Sequence, residues 1–103
     1  MTSTDLIDCR TLAQGSLIDV ETKSRHYRIE CLAGNSIRIS GHPDYCPNPV
    51  AAQLQGSVDE NGRLGSGVIG RGMRLVVLLK NENRPITTSK VLNVSVDEAD
   101  LDQ

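Results

Sequence analysis

The stretch Met73-Arg-Leu-Val-Val-Leu-Leu79 narrows the fold more than any other part of the chain. On an extended backbone alternate residues face opposite sides, so Met73, Leu75, Val77 and Leu79 share one face while Val76 and Leu78 lie on the other. A strand apolar on both sides must be covered on both sides. With Met73, Leu75, Val77 and Leu79 in the interior, Val76 and Leu78 form a candidate assembly surface. Two covers are available for it: an N-terminal segment carrying Leu6, Ile7 and Leu12, or a second copy meeting the same patch across a two-fold axis. The second copy, a homodimer, is slightly favoured.

The remaining segments repeat the period of two. Ile18 and Val20 alternate with Asp19 and Glu21; Tyr27, Ile29 and Cys31 alternate with His26, Arg28 and Glu30; Ile37 and Ile39 flank Arg38. The longest alternation sets Val50, Ala52, Leu54, Gly56 and Val58 inward against Ala51, Gln53, Gln55 and Ser57. Turn signals at 22–24, 33–35, 59–62 and 80–83 separate these runs. The pattern predicts an all-β fold, a small antiparallel barrel or sandwich of about six strands over residues 15–96. Residues 1–14 read as an extended arm or a short helix, with Thr4 as a candidate cap and Gly15 as a stop. Residues 97–103 read as a mobile acidic tail. The chain has two Tyr and neither Trp nor Phe, so small aliphatic side chains must fill the interior.

Gly65, Gly67 and Gly70 spell G-x-G-x-x-G, the spacing of a dinucleotide or kinase phosphate loop. A dinucleotide loop opens a helix and is followed about twenty residues later by an acid. Here the motif leads into a Val/Leu strand, and residues 85–90 contain no acid. These glycines are expected to serve a bulge or a tight barrel corner instead.

Residues 41–49 hold three of the four prolines and must form a stiff loop. His42, Asp44, Tyr45 and Cys46 make it the candidate binding loop, with Tyr45 either a contact surface or a plug for the barrel. His42 and Cys46 also suit zinc, completed by two of His26, Cys31 and Cys9. As an alternative, Cys46 would be a nucleophile with His42 as base and Asp44 orienting it. The strand facing opposes the zinc set, because Cys31 points inward and His26 outward. Five residues of one loop are a poor frame for a catalytic triad. No cofactor or metal and no catalysis are therefore expected. Three cysteines without a C-x-x-C pair argue for reduced thiols, with Cys31 buried and inert.

Lys23, Arg25, Arg28, Arg71 and Arg74 form a candidate basic patch, with His26 beside them. Interleaved Glu21 and Glu30, the inward Tyr27 and a net charge of -2 disfavour a nucleic-acid track. The first residues lack the character of a secretory signal, and no apolar run approaches a membrane span, so a cytoplasmic location is expected. The succession Val20-Glu-Thr22, Ser24, Tyr27, Gly41-His-Pro43, Tyr45-Cys-Pro47, Gly56-Ser57, Gly70, Gly72-Met73, Thr88-Ser89 and Val91 resembles a loose group of small uncharacterised bacterial β-proteins. That resemblance covers residues 15–96 and implies no activity. The function expected is a non-catalytic module that binds a protein partner or itself.

Overall fold

The computed structural model describes residues 2–43, 46–80 and 85–99. Ten strands are found among them: β1 (Thr2–Thr4), β2 (Leu6–Asp8), β3 (Leu17–Thr22), β4 (His26–Cys31), β5 (Ser36–Ser40), β6 (Val50–Val58), β7 (Leu64–Ser66), β8 (Val68–Gly70), β9 (Arg74–Leu79) and β10 (Ile86–Asp97). Every pairing is antiparallel. The strands run β10-β3-β4-β5-β6 around the barrel, and β9 closes it by pairing with both β6 and β10. The result is a closed six-stranded barrel with β1, β2, β7 and β8 added at its margins.

The inward residues of the sequence pattern are the core. Ile18, Val20, Tyr27, Ile29, Cys31, Ile37, Ile39, Ala52, Leu54, Leu75, Val77 and Leu79 are all buried, joined by Ile69, Val91, Val94 and Val96. Each fully buried aliphatic side chain contributes about 1.5–3 kcal/mol over its exposed state, so the core dominates the favourable side of folding.

One facing differs from the alternation. Ser57 is fully buried and opposes Leu75, while Val58 opposes the exposed Arg74 and so lies on the outer face. The cause is a register shift between Leu54 and Gly56, which adds one residue to β6 and exchanges the faces beyond it. Gly56 sits at a φ of 142°, and a Cβ there would run into the backbone of Gly65. Buried Ser57 donates its hydroxyl proton to the Val68 carbonyl at 2.7 Å, which removes the cost of its burial.

A second shift, between Thr87 and Lys90, interrupts the β9–β10 ladder. There the Thr88 hydroxyl accepts the Leu75 N–H at 3.0 Å and donates to the Ser89 carbonyl at 2.8 Å, standing in for the lost backbone partner.

The N-terminal residues form an arm, and no α-helix spans 5–14. β1 runs beside β10, β2 beside β8, and only a single 3-10 turn follows at Cys9–Thr11. A weakly amphipathic helix has nothing to set against strand partners at the barrel margin. Asp8 caps the turn: its carboxylate accepts the Arg10 N–H at 2.9 Å and the Arg10 guanidinium at 3.0 and 2.8 Å. That guanidinium holds the Asp8 carboxyl below its usual range. At the other end β10 runs to Asp97, opposite Leu17, and Ala99 N–H bonds the buried Ser16 hydroxyl at 2.8 Å. The expected acidic tail thus touches the barrel as far as Ala99, and its last four residues lie outside the described ones.

Val77 is a direct check of this interior. Val77→Asp places a carboxylate beneath the closing strand with no charged partner among the described residues, a change expected to cost roughly 3 kcal/mol or more. The variant should lose its cooperative thermal transition, as followed by circular dichroism; a midpoint within a few degrees of the parent would mean that the facing is wrong.

Candidate functional site

The loop after β5 is pinned by its backbone. Gly41 N–H bonds the Cys46 carbonyl and Cys46 N–H bonds the His42 carbonyl, both at 2.9 Å, forming an isolated bridge between His42 and Cys46. Gly41 has a φ of 126° and packs so closely on the His26 backbone that no side chain fits. Cys46 is buried and, with Tyr27, Ile39, Val77, Leu79, Ile86, Thr88 and the half-buried His42, lines a small void at this end of the barrel. Burial pushes the Cys46 thiol up, only partly offset by its backbone hydrogen bond at His42. A thiol so placed is a poor nucleophile. Asp44 and Tyr45, the other two residues of the candidate loop, lie outside the described residues.

The ligands that would join His42 and Cys46 in a metal site are elsewhere. His26 is exposed on β4, with Nε2 3.8 Å from Asp19 Oδ1. Cys9 and Cys31 face one another, their Sγ atoms 2.8 Å apart. No group of three His, Cys, Asp or Glu able to hold a metal occurs among the described residues.

The candidate basic patch divides. Arg28 lies 3.6 Å from Asp19, and Arg71 lies 3.3 Å from Asp5 on the N-terminal arm. Lys23 and Arg74 are each joined through the backbone to a residue outside the sequence pattern, Lys90. Lys90 opposes Arg74 across β9 and β10, and its carbonyl accepts the Lys23 N–H at 3.0 Å. The exposed Arg25 follows in the same β3–β4 turn, where Ser24 and Ser89 share a 2.7 Å hydroxyl contact. The alternation carries no sign of Lys90's place in this cluster, because only the β10 register brings it to Arg74.

Val76 and Leu78 lie outward and half-buried. Val76 stands opposite the side-chain-free Gly56 and Thr87, and Leu78 opposite Gln53. Leu78 borders a groove of about 450 Å³ across β5, β6 and β9, lined also by Leu32, Ser36, Ala51, Gln53 and Lys80. The arm does not cover Val76 and Leu78: its pairings are with β10 and β8, Ile7 and Leu12 pack on the barrel core, and Leu6 is 60% exposed.

The glycine motif has the structural role expected of it. Gly65 and Gly70 lie in β7 and β8, and Gly67, with a φ of 72°, turns the chain between them against Arg10. No helix opens from it to receive a phosphate. No helix among the described residues is long and apolar enough to cross a membrane.

Comparison with protein-family models, with characterised proteins and with solved structures yields no match, so the function rests on the residues themselves.

The core is built mainly of Ile, Val and Leu, and the cysteines join it as buried thiols, which leads to an expectation about metal. Addition of EDTA should leave the thermal midpoint of the purified protein unchanged. A large fall, accompanied by stoichiometric zinc in elemental analysis, would restore His42 and Cys46 as a metal site.

Proposed function

We propose that this barrel is a non-catalytic binding module that assembles with a second copy of itself through the outer face of β5, β6 and β9. The groove at Leu32, Ala51 and Leu78 carries the reading. Its apolar floor is edged by Ser36, Gln53 and Lys80, the arrangement of a dry centre within a polar rim found at protein interfaces. Val76 and the outward Val58 extend the apolar strip along β9 and β6, and exposed Leu64 on β7 opposes Val58. A self-complementary patch closes a dimer with one kind of contact, and Lys80 is the only charged residue lining the groove among the described residues, so two copies face little repulsion. The segment after β5, where His42 and Cys46 are joined by a backbone bridge, is a second contact element in this reading.

Light scattering across a dilution series tests the assembly. The full chain should be dimeric and dissociate on dilution, while Val76→Lys combined with Leu78→Lys should be monomeric with an unchanged circular dichroism spectrum. A full chain that is monomeric throughout overturns the dimer.

One observation favours a second reading, a barrel that binds a polyanion such as RNA. Like charges directly opposite on neighbouring strands are unfavourable, yet Arg74 and Lys90 are such a pair, with Lys23 beside them. An anionic partner would offset that repulsion. Generic single-stranded RNA should then bind with an affinity that falls as salt rises, and Lys90→Ala should flatten the dependence. Absence of binding at low salt excludes this reading.

A further inference from the structure

The thiols of Cys9 and Cys31 come from different parts of the fold. Cys9 opens the 3-10 turn of the N-terminal arm, and Cys31 ends β4. They are 22 positions apart in sequence, both buried, with Sγ atoms at 2.8 Å. That is inside the usual contact distance of two unbonded sulfurs and leaves a short movement to a covalent bond of about 2.05 Å. Cys31 is held firmly for this: its N–H bonds the Ser16 carbonyl and its carbonyl accepts the Gly15 N–H, both at 2.8 Å. Cys9 is held by its own N–H on the Gly67 carbonyl at 3.1 Å. The third cysteine, Cys46, is buried against Tyr27, Ile39 and Val77 and has no part in this contact.

We propose that Cys9 and Cys31 are an oxidisable pair whose disulfide locks the N-terminal arm onto the barrel. Their burial selects a small oxidant, and a peroxide fits. In the first step the Cys9 thiolate attacks one peroxide oxygen, the O–O bond breaks, and Cys9 becomes a sulfenic acid as the departing hydroxide takes up the thiol proton to form water. In the second, the Cys31 sulfur attacks the Cys9 sulfur, the S–S bond forms, and the sulfenic oxygen leaves as a second water carrying the Cys31 proton. Two thiols and one peroxide thus give one disulfide and two waters.

The two roles follow from the fold: Cys9 lies on the arm and is exposed first when the arm opens, so it is the attacking sulfur, while Cys31, at the end of a core strand, resolves the sulfenic acid. Their hydrogen bond, in which either sulfur can donate, favours a thiolate within the pair against the opposing effect of burial. Peroxide reaches the pair when the arm opens locally, and bond formation then prevents that opening. The arm's other attachments are noncovalent: the three-residue pairings of β1 with β10 and of β2 with β8, the Asp5–Arg71 contacts, the Cys9 N–H bond to Gly67, and the packing of Ile7 and Leu12 on the core. A covalent link closing residues 9–31 therefore changes its freedom more than any single contact it replaces.

The test uses the full chain, purified reduced, treated with hydrogen peroxide under native conditions, then denatured in excess alkylating agent and mapped without reduction. The expected product is one disulfide-linked peptide pair containing Cys9 and Cys31, with Cys46 alkylated. The same pair should form in Cys46→Ser. Oxidation should raise the thermal midpoint by on the order of 10 °C and slow amide exchange across residues 6–12. Alkylated Cys9 and Cys31 at peroxide exposures that already oxidise Met73 would overturn the proposal, as would linkage through Cys46. A Cys9–Cys31 link without slower exchange in the arm would refute the lock. The unmodified chain carries the mapping, so the result does not depend on whether Cys9→Ser or Cys31→Ser folds.

Discussion

Strand β9 is hydrogen-bonded along both edges, to β6 over Ala52–Val58 and to β10 over Ile86–Lys90, and this double pairing turns a sheet into a barrel. Without it, β10-β3-β4-β5-β6 would be an open sheet edged only by the three-residue strands β1 on β10 and β7 on β6, and the rest of those two edges would be a template for unwanted pairing. With it, the inward residues of six strands meet in one interior that Ile, Val, Leu and Ala can fill. The arrangement also explains why the closing strand is the most apolar in the chain. Its inner residues complete the core, and its outer residues are partly screened by the flanking strands while remaining available to a partner.

Closure forces irregularity elsewhere. A barrel this small must bend its strands sharply, and the bend in β6 falls at Gly56, where the absent side chain lets the Gly65 backbone approach. The extra residue turns Ser57 inward and Val58 outward. One bulge thereby supplies a buried hydroxyl that ties β6 to Val68 and shapes the apolar strip on the outer face. On β10 the shift beside Thr88 has a comparable effect, ordering the ladder through a side chain and carrying Lys90 to Arg74. The outward Val58 of the apolar strip and the pairing of Lys90 with Arg74 are thus products of the irregularities that accompany closure.

The three cysteines show how one residue type divides by position. Cys46 is buried among Tyr27, Ile39 and Val77, where it fills space as a small apolar side chain. Cys31 ends a core strand, and Cys9 reaches it only because the arm crosses the barrel margin and is caught by β8 and Gly67. In a chain with so few aromatics, a pair of thiols at the arm's entry also fills volume that a larger side chain would take elsewhere.

The barrel was legible in the sequence because period-two alternation is a local property: Ile18/Val20, Tyr27/Ile29/Cys31, Ile37/Ile39 and Leu75/Val77/Leu79 each declare their inner face without reference to a partner. The failure of the glycine motif as a phosphate loop was legible for the same reason, since the residues after it, from Arg74 to Leu79, favour a strand over a helix. The tertiary structure alone decided the rest. Ser57 and Val58 exchanged faces because a bulge depends on the partner strand's register. The arm took an extended path because β8 and β10 offered it hydrogen bonds that a weakly amphipathic helix could not match. The meeting of Cys9 with Cys31, and of Lys90 with Arg74 and Lys23, depends on closure bringing distant segments together, and no spacing along the chain encodes it.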